Sequence, residues 1–124
     1  MGKGWLFIAT ASGFLSVALG AIGAHTLRNI LDGYGKSIYE KAVLYQMFHT
    51  LALFVVGFCQ LLFRNMSFSM PGILFLMGIL LFSGSLYLLA VTGMKWLGAI
   101  TPIGGTAFLL GWAWLGYTII KAKP

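Results

Sequence analysis

Pro71-Gly-Ile-Leu-Phe-Leu-Met-Gly-Ile-Leu-Leu-Phe-Ser-Gly-Ser-Leu-Tyr-Leu-Leu-Ala-Val-Thr92 runs for 22 residues without a charge. A helix rises 1.5 Å per residue, so about 20 apolar residues cross the ~30 Å hydrocarbon core of a bilayer. Lipid offers the backbone no hydrogen-bond partners, which makes a helix the only economical reading of such a run. Three further runs flank it: Trp96 to Ile120 on the C-terminal side, then Ala42 to Phe63 and Trp5 to Ala24 on the other. The linkers between the four spans (5–24, 42–63, 71–92 and 96–120) are short, so neighbouring helices must be antiparallel. The expectation is an all-α polytopic membrane protein, a single four-helix antiparallel transmembrane bundle with both termini on one side, here side A, opposite side B.

Composition agrees with this reading. Of 124 residues, 60% are hydrophobic and 8% charged, against roughly 45–50% and 25% in soluble domains. The net charge of +6 comes from Lys3, Arg28, Lys36, Lys41, Arg64, Lys95, Lys121 and Lys123. These flank the spans rather than forming a stripe that could follow phosphates, so the partner implied is the membrane lipid surface and not nucleic acid. They divide four against four between sides A and B, so the positive-inside rule does not choose an orientation. The flexible termini favour side A in the cytoplasm. Asp32 and Glu40 are the only acidic residues and Cys59 the only cysteine, which removes carboxylate-pair hydrolases, disulfides and cysteine-based metal sites from consideration. A multi-pass cell-membrane location is expected.

Within the first linker, Leu27, Ile30, Leu31 and Tyr34 fall at helical spacing, which predicts a short interfacial helix. Gly33 and Gly35 should break it, and Ser37-Ile-Tyr-Glu40 reads as a capping box starting the second helix near Ile38. Trp5, Trp112 and Trp114 on side A and Trp96 on side B are placed as interfacial anchors. Small residues Ser12, Ser16, Gly20 and Ala24, every fourth position of the first span, predict a packing groove in which Gly20→Leu would be disruptive. Exposed apolar surface leaves room for a homo-oligomer.

Polar groups inside spans need an account. Gln46, His49 and Thr50 fall on one side of the second helix, His25 ends the first, Ser83 and Ser85 lie in the third, and Thr101 and Pro102 open the fourth. All are in the side B half. Pro102 should free the carbonyl of Gly98 and kink its helix, so Thr101 to Gly105 facing His49 and Gln46 is the expected pocket. These eight residues are the ligand-binding candidates. His49 reads either as a satisfied interhelical partner or as a ligand-contacting or proton-responsive group, with haem ligation by His25 and His49, or quinone binding, as a further alternative. No HExxH, CxxC or phosphate loop occurs, and no cofactor, metal or catalytic residue is expected. The anticipated function is non-enzymatic binding of a small ligand or lipid headgroup, or service in a membrane complex. The alternative is a small transporter or channel using His49.

Four stretches carry a resemblance: Gly20-Ala-Ile-Gly-Ala-His25, Tyr45-Gln-Met-Phe-His49, Gly78-Ile-Leu-Leu-Phe-Ser-Gly-Ser-Leu-Tyr87 and Leu97-Gly-Ala-Ile-Thr-Pro-Ile-Gly-Gly105. In this order the chain resembles domain-of-unknown-function family 423, which implies a small four-helix membrane protein of a bacterial plasma membrane. The family carries no established activity.

Overall fold

A computed structural model describes residues 1–123. Helix α1 spans Gly2–His25 and α2 Gly33–Leu62. The third span is built of α3 (Ser69–Gly78), a π-helical turn (Ile79–Ser83) and α4 (Gly84–Thr92). A 3₁₀ turn at Lys95–Ala99 leads into α5 (Thr101–Lys121). Four of these helical stretches are long and apolar enough to cross a membrane, as the four apolar runs predicted.

The first linker differs from expectation. Residues 26–31 make one turn, with the amides of Ile30 and Leu31 both bonded to the Leu27 carbonyl, rather than an interfacial helix. Gly33 and Gly35 do not break a helix but begin one, and Tyr34 belongs to α2. Asp32 supplies the cap, its Oδ1 accepting from the Gly35 amide at 2.6 Å. The first amides of a helix lack intrahelical partners, so an acceptor side chain decides where it starts. Here Asp32 does so ahead of Ser37. Between α4 and the 3₁₀ turn, Gly93 at φ 72° makes the left-handed turn.

Helix α2 is the central element, packed along α1 on one side and against α3 and α4 on another, while α5 packs along α3 and the π turn. Small residues set the close approaches. A methyl on Gly2 would meet Leu61 and the Gly57 carbonyl, and one on Gly23 would run into the Tyr39 ring. One on Gly20 would only touch Val43 at 3.5 Å, so the tight points of the α1–α2 seam are Gly2 and Gly23 and not Gly20. Gly104 lies against the backbone of Leu81 and Phe82 in the π turn, and Gly111 against Phe75. Phe68, Phe75, Leu53 and Val56 fill the side A half of the core.

Two of the expected interfacial tryptophans make contacts within the protein. Trp5 is buried, its indole over Gly72, and Trp112, though 38% exposed, donates to His49. Trp96 and Trp114 remain exposed. On side A, Gln60 fastens the linker by donating to the Met66 carbonyl at 2.8 Å and accepting from the Phe68 amide at 2.7 Å.

Candidate functional site

The intramembrane polar residues form separate groups rather than one pocket. On α2, Gln46 and Thr50 face α1. The Thr50 hydroxyl donates to the Gln46 carbonyl at 2.7 Å, which leaves the Ser12 hydroxyl to donate to Thr50 Oγ1 at 2.6 Å. The Gln46 amide donates to the Ser12 carbonyl at 3.3 Å, and its Oε1 accepts from the Tyr87 hydroxyl of α4 at 2.7 Å. This chain ties α1, α2 and α4 together. Ser83, fully buried in the π turn, donates to the Ala42 carbonyl of α2 at 2.8 Å. Ser85 donates to the Phe82 carbonyl at 2.9 Å, so the Thr101 hydroxyl donates to Ser85 at 2.6 Å and fixes the start of α5. Among the described residues no buried side-chain polar atom lacks a partner. Interhelical bonds of this kind contribute about 0.6 to 2 kcal/mol each in a bilayer.

His49 faces α5 instead. Its Nδ1 lies 2.8 Å from the Tyr45 carbonyl one turn earlier, and its Nε2 lies 3.0 Å from the Trp112 indole nitrogen. An indole N–H can only donate, so Nε2 presents its lone pair and Nδ1 carries the proton. Both nitrogens of the neutral ring are engaged. A proton on Nε2 would point at the Trp112 N–H, and neither nitrogen is free to ligate haem iron. The ring stacks on Phe108 with centroids 3.5 Å apart and planes 9° from parallel, while Phe48, Phe75 and Trp112 close around it at 5.3–5.8 Å.

Pro102 is placed differently from the kinked helix anticipated. It sits in the first turn of α5, where its missing N–H is not needed. The preceding irregularity is the 3₁₀ turn. What Pro102 does contribute is one wall of a groove of about 680 Å³ between α2 and α5, with Gly105, Thr106 and Leu109 beside it and Phe82 and Phe108 behind. Leu44, Tyr45, Phe48, His49 and Trp112 complete the lining. The Tyr45 hydroxyl takes no part in the hydrogen bonds formed among the described residues. Thus His49 and Pro102 share a groove that Gln46, Thr50, Ser83, Ser85 and Thr101 do not line. His25 lines a different groove, between α1 and α2 at side B, so the two histidines do not make a common site. Tyr45 and Phe108 were not singled out as site residues by sequence reasoning, and Trp112 was read as an interfacial anchor; their spacing is that of ordinary apolar helix faces.

Tyr45, His49 and Pro102 lie within a stretch shared with other proteins. The family model described as "Protein of unknown function (DUF423)" matches residues 19–105, which contain all four signature stretches. The chain belongs to the DUF423 family. It is similar to a UPF0382 membrane protein of Haemophilus influenzae, 45% identical over 122 residues that cover 96% of this chain and 95% of the relative. One from Staphylococcus epidermidis is 41% identical over 119 residues, covering 96% and 97%. The UPF0382 inner membrane protein YgdD of Escherichia coli is 38% identical over 120 residues, covering 95% and 90%. No solved structure matches. DUF423 membership together with the four apolar helices makes this an integral membrane protein.

Proposed function

We propose that this DUF423 protein is a non-enzymatic binding protein of the bacterial plasma membrane. It takes a flat, ring-bearing lipid of the quinone class into the groove between α2 and α5. The observation that carries this reading is the His49 environment: a histidine with both nitrogens occupied, held rigid in an aromatic wall that opens to the bilayer. Small-molecule sites are concave, mostly apolar and about 300–1,000 Å³, with few polar groups, and the groove at about 680 Å³ falls in that range. Tyr45 and Phe82, with ring centroids 4.5 Å apart, offer stacking surfaces for a planar ring. The Tyr45 hydroxyl supplies a donor suited to a ring carbonyl, and the surrounding apolar side chains suit a prenyl tail. Proton-coupled transport finds less support, because His49 would have to release Trp112 to accept a proton.

Extraction of the protein into polymer nanodiscs, followed by mass spectrometry of its lipids, tests this reading. A methyl on Gly105 would rest 3.7 Å from Phe82, so Gly105→Leu brings its side chain into the groove without a clash at Cβ, and thermal unfolding checks that the fold is kept. Wild type is expected to retain a quinone that Gly105→Leu loses. Equal quinone content in the two proteins overturns the proposal.

A further inference from the structure

A second groove, independent of His49, lies between α1 and α2 on side B and encloses about 510 Å³. Its floor is apolar and low. Gly20 and Gly23 of α1 contribute no side chains, and Val43, Leu44 and Met47 of α2 continue it inward. Its rim carries Arg28 of the linker and Lys36 of the first turn of α2, with His25 at the end of α1 and Glu40 as the one carboxylate. Arg28 and Lys36 are both exposed.

The arrangement has the length and polarity of a phospholipid. Lys36 to Met47 is 11 residues, a rise of about 16 Å along α2. This is about half of a ~30 Å hydrocarbon core plus the edge of the headgroup layer. Arg28 and Lys36 against Glu40 leave the rim one positive charge in excess. That complements a phosphodiester bearing a single negative charge, and anionic headgroups favour basic residues placed at this depth. Arg in particular binds phosphate oxygens through its fork of donors. Glu40 adds an acceptor for headgroup hydroxyls. Gly20, which would meet only Val43 on gaining a methyl, and the Tyr39 ring, which fills the place of a Gly23 side chain, then give the acyl chain a shallow floor beside α1.

We infer that the side B groove between α1 and α2 binds one anionic glycerophospholipid, its phosphate at Arg28 and Lys36 and an acyl chain over Gly20 and Gly23. The groove reads headgroup charge, so phosphatidylglycerol is preferred to phosphatidylcholine and phosphatidylethanolamine. Because it shares with the His49 groove only Leu44, the two sites are separable by variants.

Native mass spectrometry on the full chain, titrated with each of these lipids, tests the inference. Wild type is expected to bind a first phosphatidylglycerol about tenfold more tightly than phosphatidylcholine. Arg28→Gln with Lys36→Gln, exposed changes that leave folding intact by thermal unfolding in detergent, is expected to abolish the preference. Lys3→Gln with Lys121→Gln, on the opposite side, is expected to keep it, and so is Gly105→Leu. The inference is overturned by any of three results: no preference for phosphatidylglycerol over either neutral lipid, a preference that survives Arg28→Gln with Lys36→Gln, or equal loss in the side A variant.

Discussion

Gly104→Ala probes the contact on which the third span and α5 depend. A methyl built on Gly104 lies 2.7 Å from the Phe82 Cα and 2.8 Å from the Leu81 carbonyl carbon, with the Phe82 nitrogen nearer still. Carbon atoms in packed interiors rest at about 3.5–4.0 Å, so α5 must withdraw by roughly 1 Å. The obstructing atoms are backbone, within the π turn that lets Ser83 reach the Ala42 carbonyl, and they cannot rotate away. Overpacking of this kind costs about 1–3 kcal/mol, and the better helix propensity of alanine returns at most about 1 kcal/mol. With the full propensity gain the expected net loss is up to about 2 kcal/mol, and Gly104→Ala should lie about 1–3 kcal/mol below a glycine-to-alanine change made in open space. Gly84 and Gly116 have nothing within 4 Å of an added methyl, so Gly84→Ala and Gly116→Ala isolate the propensity term and should be neutral or slightly stabilising. Reversible unfolding in mixed micelles at increasing sodium dodecyl sulfate fraction measures all three. Were Gly104→Ala to unfold at the same midpoint as Gly84→Ala, the close approach of α5 to the π turn would be refuted.

Other perturbations address the polar groups. Trp112→Phe removes the donor to His49 Nε2 and should destabilise the protein by about 1–3 kcal/mol, the range for a buried acceptor left unmade. In wild type, ¹⁵N spectra of His49 at neutral pH should show the Nδ1–H tautomer. An Nε2–H tautomer with Trp112 present would contradict the geometry at Nε2. Asp32→Ala removes the α2 cap, a loss of about 1 kcal/mol, and amide exchange should quicken at Gly35 while α2 beyond Ile38 stays protected. Gln60→Ala leaves the Phe68 amide without its acceptor, with an expected loss of about 1–3 kcal/mol and faster proteolysis in the 64–68 linker.

The four spans were legible because length and hydropathy alone dictate a helix where backbone cannot be solvated. Their ends were less so. The periodicity of Leu27, Ile30 and Leu31 is real, but Asp32 outcompetes it by capping α2 at once, and two glycines sit without difficulty in a first turn. Side-chain direction was the harder problem. Gln46, His49 and Thr50 occupy one broad side of α2, yet His49 and Thr50 are successive residues about 100° apart. That angle sends Thr50 to α1 and His49 to α5, so an apparent cluster becomes two groups. Pro102 lines the same groove as His49, but as a wall in a first helical turn rather than as a mid-helix break. The π turn has no signature in Ile79 to Ser83; it lies where Gly104 comes close to the backbone of Leu81 and Phe82. The partners of His49, above all Trp112 and Phe108, depend on the tilt and register of α5, which no spacing within α2 encodes.

Trp112 fluorescence reports directly on whether the α2–α5 groove takes a quinone-type ring. Titrating a short-tailed benzoquinone into the detergent-solubilised protein should give saturable quenching in wild type. That component should disappear in Trp112→Phe and give way, in Gly105→Leu, to the linear quenching of simple partitioning into the micelle. A linear response in wild type, or the same saturation in Gly105→Leu, would contradict the groove as the binding site.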